Sequence, residues 1–352
     1  MLRYCFDTRG LRTGVLLASR PAGATRSSFR QLQQTEYVFD VNGRLNEILD
    51  NGVSAVKYEY DVKGQVCRKL FGCRLAATIG YDDLGRLARM EFSGGALSQP
   101  VTLAYEWDAA GQLTRRTWNG MAQRYVYDAA GQLRRVLDDA TDAEREDYRY
   151  DHAGNMIEKR INGLLTQMTY NKANQIASIE TPDGVQRLRY DNAGRLLGAA
   201  GGPVNSYGWL DRVICLARPD GSRMRYEYWP NGQLAAKIPE KYVAPASGGS
   251  AKPEVERFLW DGLALLRRND VVYVIEPHAS GGVPIASHPA GQAGPVTWYL
   301  NDLLGTTLAT IEGEKLHITP LTAFGQPSKL KPKAEQPLEL KPDVPSTPLP
   351  KK

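Results

Sequence analysis

The sequence predicts an all-β fold: a spiral or shell-like sheet of stacked β-hairpins. Three observations point to it. Gly is 34 of 352 residues, and Tyr at 18 outnumbers Phe at 7, which suits many turns and many half-buried strands where a ring packs and its hydroxyl stays wet. An aromatic-Asp-x-x-Gly motif returns along the chain, mostly at steps of 20 to 26 residues. The residues ahead of each Asp alternate, as in Tyr58-Glu59-Tyr60, Tyr125-Val126-Tyr127, Tyr148-Arg149-Tyr150 and Tyr226-Glu227-Tyr228. Period-two alternation marks a strand with one buried face.

The series opens with Phe6-Asp7 and Gly10, followed by Phe39-Asp40 with Gly43, Tyr60-Asp61 with Gly64, and Tyr81-Asp82 with Gly85. Trp107-Asp108 with Gly111, Tyr127-Asp128 with Gly131, Tyr150-Asp151 with Gly154, and Tyr190-Asp191 with Gly194 continue it. Tyr170-Asn171 with Asn174 is a degenerate copy, and Tyr228-Trp229-Pro230-Asn231-Gly232 is another. Each Asp is expected to open a turn by accepting backbone N–H bonds. Each Gly suits the left-handed position that closes a type I turn with a bulge, and Asn174 is the next-best residue there. The polar residue and Leu that often follow, as in Arg86-Leu87 and Gln132-Leu133, begin the return strand. One hairpin alone is only marginally stable, whereas stacked hairpins share a buried face. Such a sheet twists, and so curls into a tube, spiral or shell.

These units resemble the YD repeats of the Rhs family, which includes bacterial polymorphic toxins, C components of insecticidal toxin complexes, and animal teneurins. The likeness extends over roughly residues 1–327. Downstream, Arg257-Phe258-Leu259-Trp260-Asp261-Gly262 resembles the segment that follows the array in Rhs proteins. Tyr299, Asp302, Leu304, Gly305 and Thr306 resemble the Rhs-core signature, with Thr307 where Pro is usual, and Phe324-Gly325 resembles its closing pair. The resemblance implies a YD-repeat array at 1–240, a linker at 241–254, a β-rich entrance to the Rhs core at 255–327, and a Lys/Pro-rich disordered tail at 328–352. It also implies a non-enzymatic structural role: part of a shell that encapsulates or carries a polypeptide toxin cargo. The partners would be that cargo or a second Rhs chain. The alternative is a cell-surface module that binds glycan or protein, with Trp107, Trp118, Trp209 and Trp229 as sugar-stacking rings.

In toxin members the core ends in an Asp-Pro-x-Gly type motif where the shell cuts itself. Here Asp343 is followed by Val344, and the chain from Lys329 holds six Pro and six Lys with Leu as its large apolar residue. Such a composition cannot offset ordering entropy. The expectation is therefore a C-terminal slice of a shell, or a short stand-alone member, without a toxin domain.

Charge and composition exclude other classes. The tail carries +3 of the net +5, which leaves a near-neutral body, a poor match for phosphate-driven nucleic-acid binding or an anionic membrane surface. No apolar run approaches the ~20 residues of a membrane span, and Val15-Leu16-Leu17-Ala18 reads as a strand rather than a signal peptide. Export by a specialised secretion route to the exterior or cell surface is expected, with a cytoplasmic stage before it. Cys5, Cys67, Cys73 and Cys215 lack metal-site spacing and read as reduced, half-buried thiols. The recurrent Asp residues come once per repeat, too sparse for calcium. His152 sits in a turn, while His278 and His288 flank a Gly/Pro loop, so neither metal nor cofactor is expected. Paired arginines such as Arg115-Arg116, Arg134-Arg135 and Arg267-Arg268 are expected to meet acids on neighbouring strands.

Overall fold

The computed structural model describes residues 1–19, 29–241, 254–277, 281–291, 294–302, 305–313 and 315–318. Leu304, Phe324, Gly325, His278, most of the expected linker and the whole of the expected tail lie outside these. The described residues form strands and turns without a helix. The chain is all-β, built of long antiparallel sheets that do not close into a barrel. Strand follows strand as a meander in two sheets, one ending at the strand Leu196–Ala199 and the other beginning at Val204–Tyr207, with neighbours in sequence pairing inside each. That order follows from the sequence period, because every hairpin loop joins two adjacent antiparallel strands.

The chain divides into two compact units. One comprises Met1–Ala122 with Asp261–Lys352, and the other Gln123–Trp260. The YD motifs thus fall in both.

In the first unit, a repeat sheet runs from the strand Leu2–Phe6 to the strand Leu113–Trp118. Val15-Leu16-Leu17-Ala18 lies in its second strand, Arg12–Ser19. A second layer, from Ala264–Arg268 to Lys315–Ile318, packs on it. One apolar cluster joins the two: Tyr37, Ile48, Val56, Tyr58, Phe92, Val101 and Leu103 from the sheet, with Leu266, Val274, Ile285, Leu300 and Ile311 from the layer. Phe71 and Trp298 meet edge to face across it, centroids 6.1 Å apart. Burial of alternate residues on each strand supplies the driving force.

The second unit is also a meander, but its buried apolar side chains among the described residues are Val136, Tyr148, Ala236 and Phe258. Strands such as Leu164–Tyr170 and Gly184–Tyr190 hold no fully buried residue. Many of its other aromatic and aliphatic side chains are half-buried, and some, such as Leu164 and Val185, are exposed.

Candidate functional site: the turn edge of the repeat sheet

Every motif copy closes the same loop. In the copy at Asp61, the Asp61 N–H donates to the Gln65 carbonyl at 2.9 Å, and Gly64 N–H donates back to the Asp61 carbonyl at 3.0 Å. The carboxylate Oδ1 of Asp61 accepts from the N–H groups of Lys63 and Gln65 at 2.9 and 2.8 Å. Gly64 has φ +83°, and Asn174 takes the same left-handed position at φ +62°. The register shifts between Glu59 and Tyr60, a bulge that sets Tyr60 opposite Val66. The backbone pair recurs at Asp7 and Gly10, Asp40 and Gly43, Asp82 and Gly85, Asp108 and Gly111, and Asp128 and Gly131. It recurs again at Asp151 and Gly154, Asn171 and Asn174, and Asp191 and Gly194. Two-residue turns such as Asn51-Gly52 and Asn162-Gly163, both residues at positive φ, close the other ends of several hairpins.

The same loop also occurs where the sequence reading had not placed it. Asp211 N–H donates to the Gly208 carbonyl, and Gly221 N–H to that of Arg218. At Gly208 the two residue types are exchanged: Asp211, at φ +55°, stands where Gly usually does. The retained signal was the apolar residue six positions past the aromatic, Tyr207 to Val213, which are paired across the strands. Asp302, Gly305 and Thr306 close this loop too: Asp302 Oδ1 accepts from Thr306 N at 2.8 Å, and Gly305 N–H donates to the Asp302 carbonyl at 3.1 Å.

At most copies with Tyr or Trp ahead of the turn, that residue has a second role, which corrects the expectation of a wet hydroxyl. Tyr60 Oη donates to the Leu45 carbonyl at 2.6 Å, Tyr81 to Val66 at 2.9 Å, Tyr150 to Leu133 at 3.0 Å and Tyr170 to Met156 at 2.9 Å. Tyr190, Tyr207 and Tyr228 donate likewise to Ile176, Leu196 and Val213. Trp107 Nε1 reaches Leu87, and Trp260 Nε1 reaches Leu234. Each acceptor is the first residue of the return strand in the preceding hairpin, so each ring pins one repeat to the one before. The bulge leaves that carbonyl outside the regular ladder, available to a side-chain donor.

The residue after the Gly locks the loop from the other side. Arg44 Nε and Arg195 Nε each lie 2.7 Å from the second oxygen of Asp40 and Asp191. Their guanidinium groups also cover the next aromatic ring, Tyr60 at 4.5 Å and Tyr207 at 4.9 Å. Gln65 and Gln175 instead reach the carbonyls of Gly85 and Gly194 in the next turn. The backbone N–H of Arg44, followed by its side chain, holds Asp40 below the usual carboxylate range. Arg195 does the same for Asp191, and the Asn155 amide does so for Asp151.

These turns, pins and the bulge between them define a repeat of known kind. The teneurin YD-shell family model matches residues 24–207 and 114–240. The chain belongs to the teneurin YD-shell family. Among curated proteins nothing matches it. Among solved structures, this YD-shell chain is similar to TcdB2-TccC3 without its hypervariable C-terminal region, at 15% identity and TM-score 0.46, covering 88% of this chain and 19% of that one. It is also similar to the Photorhabdus luminescens Tc holotoxin pore, at 12% identity and TM-score 0.30, covering 92% of this chain and 27% of that one. The chain therefore spans about a fifth of the TcdB2-TccC3 chain.

The remaining predicted residues of the YD-shell chain are spread out. Trp107 is a pin, and Trp118 packs at the margin of the apolar cluster. Trp229 is 43% exposed, with Nε1 donating to the Phe258 carbonyl, and Trp209 is 91% exposed at a turn tip. Asp261 pairs with Arg12, whose guanidinium lies against the rings of Tyr4 and Tyr37. Gly262 turns the chain at φ +56°, and Tyr299 Oη meets Ser287 Oγ at 3.0 Å. Arg115 pairs with Glu106, and Arg134 with Asp147. Cys5 is exposed and the other three thiols half-buried, all of them free. Among the described residues, no three His, Cys, Asp or Glu side chains gather as for a metal ion. Two cross-layer contacts of the first unit left no sequence signal: the half-buried pair of Lys69 with Glu276 at 2.7 Å, and that of His288 with Asp50 at 2.8 Å. His288, read from sequence as flanking a loop, lies in the strand Val283–Pro289.

Proposed function

We propose that this YD-shell chain is a non-enzymatic wall segment that encloses or carries a polypeptide toxin cargo in a bacterial polymorphic-toxin system. The family and the all-β fold fit a structural shell role. The observation that carries the finer reading is in the second unit. There side chains such as Met168, Ile179 and Leu188 are half-buried and Leu164 and Val185 exposed, and repeat-to-repeat pins hold a sheet with few fully buried side chains. A sheet that keeps its form unaided can present an apolar, weakly charged surface to an unfolded or partly folded chain. The turn-edge Asp and Gly residues serve in this reading as wall joints, and the Trp260 to Thr306 signature as its closing segment. Cargo or a second Rhs chain is the partner, and export to the exterior or the cell surface is the setting.

The test is co-expression with a candidate cargo polypeptide, followed by limited proteolysis. Cargo co-purified with the chain should survive digestion that destroys free cargo. Equal digestion rates would remove the reading. Trp209, bare at a turn tip, favours a second reading, a surface that binds glycan. A glycan array compared with Trp209→Ala decides it: binding lost in the variant supports it, and absence of binding in the parent chain discards it.

A further inference from the structure

The strand Val283–Pro289 carries a polar group into the seam between the two layers of the first unit. His288 is 9% exposed and stands opposite Val272. Its Nε2 lies 2.8 Å from Oδ2 of Asp50, at the end of the repeat-sheet strand Leu45–Asp50. Its Nδ1 lies 2.9 Å from the Pro289 carbonyl. A carbonyl and a carboxylate only accept, whereas a neutral imidazole has a single N–H to give. With the ring neutral, one of these short approaches would set lone pair against lone pair. The Nε2 approach to Asp50 is an ion-pair distance without an aligned hydrogen bond, so what makes it favourable is the positive charge of an imidazolium.

Asp50 is held in place from its other side. Gln33, 3% exposed, gives its amide to Asp50 Oδ1 at 3.2 Å and to the Tyr273 carbonyl at 3.3 Å. The two layers are thus bridged twice around one carboxylate. Asp50 is the charged group that acts on the ring, and it holds the histidine above its ordinary pKa against the opposing effect of burial. The charged side chain in the same ladder row is Arg267, opposite Val272 and turned to the Asn269 carbonyl and to Asp270, and Gln33, which also touches Asp50, is neutral. Burial pushes the Tyr273 phenol up, so it stays neutral. The nearby acid Glu276 is engaged by Lys69.

We propose that His288 and Asp50 form a pH-operated clasp, fastening the C-terminal layer to the repeat sheet while the ring is charged and slackening when it is neutral. A group whose folded-state pKa is raised contributes stability in full below its unfolded value of about 6.5, and loses it as pH rises through the folded value. The layer should therefore be tightest in mild acid and loosen on the alkaline side of neutrality. The apolar cluster remains, so loosening weakens the seam without opening it.

Two measurements on the full chain test this. In an NMR titration of histidine rings, the signal absent in His288→Gln should have its midpoint above 6.5, and Asp50→Asn should move that midpoint down. In thermal unfolding, the parent should lose a few degrees between mild acid and the alkaline side of the midpoint, and His288→Gln should lose that slope. A midpoint at or below 6.5, or one unmoved in Asp50→Asn, overturns the clasp. So does an unchanged slope in His288→Gln. Should that variant fail to fold, the parent and Asp50→Asn titrations, with the buried ring assigned by its slow solvent exchange, still decide.

Discussion

The two units are built from the same repeat and held together differently. In the first, Phe92 and Leu103 are 1% and 0% exposed beneath a second layer, and the hairpins share a packed core. In the second, Met168, Ile179 and Leu188 lie only half-buried. Yet the turn at Asp191 superposes, bond for bond, on the turn at Asp40: N–H groups two and four residues on, then an Arg Nε at 2.7 Å. Turn chemistry therefore makes a hairpin wherever it occurs, and coverage decides how stable that hairpin is. In the second unit a larger share of the stability has to come from pins and turns, each contributing about 1 kcal/mol.

The widest separation between the units should come from core truncation. Phe92→Ala should destabilise the first unit by about 3–5 kcal/mol. Met168→Ala in the second should cost about 1 kcal/mol, since only part of its surface is removed from water. Denaturant unfolding of each variant measures the gap, and similar losses would mean that the second unit is covered in solution.

Glycine substitution comes next. Gly194→Ala forces a left-handed φ of +79° on a residue with a Cβ, and that atom would meet Gln175 Nε2 at 3.1 Å. The penalty should be roughly 1–2 kcal/mol, with loss of the Gln175 bond to the next turn. Gly64→Ala has open space around it and should show the backbone penalty alone, so the difference between the two isolates the inter-repeat contact. Asn174→Gly relieves the left-handed backbone cost but removes the bond that Asn174 Oδ1 accepts from Asn155 Nδ2 at 2.6 Å, so the two should nearly cancel in the same thermal-melt series.

Removing one pin is a smaller perturbation. Tyr190→Phe should cost about 1 kcal/mol, and hydrogen exchange should quicken at the turn it joins, around Ile176. The same change at Tyr60, beside the packed cluster, should quicken exchange less, because opening there also has to break the core.

Least of all should be Asp191→Asn. Asn171 already accepts the same two backbone bonds, at 2.9 and 3.0 Å, so the loss near neutrality should be confined to the charge part of the Asp191–Arg195 contact. The acid limb should change with it. Asp191 sits below the usual carboxylate range because of the Arg195 N–H and guanidinium. Its contribution is complete above about pH 3.9 and is lost as pH falls through the lower folded value. The variant should lack that component in melts run from pH 5 to pH 2.

The hairpins were legible because every part of them is local. Asp, Gly and the alternation before them act within ten residues, and even the exchanged copy at Gly208 kept its aromatic-to-apolar spacing. The hydroxyl pins were half legible: the tyrosines were visible, but their acceptors lie 11 to 17 residues back, on a carbonyl that only the bulge leaves free. What no local pattern could announce is that the last strands fold over the first repeats. That pairing puts Lys69 beside Glu276, Arg12 beside Asp261 and His288 beside Asp50, partners more than two hundred residues apart. A period of about twenty residues repeats the same strand face along the chain and so cannot say which copies will be covered. The sequence by itself determined the hairpin, its turn and its direction of stacking. Which faces are buried, and therefore where the core and its charged clasps lie, was decided by long-range packing in the tertiary structure.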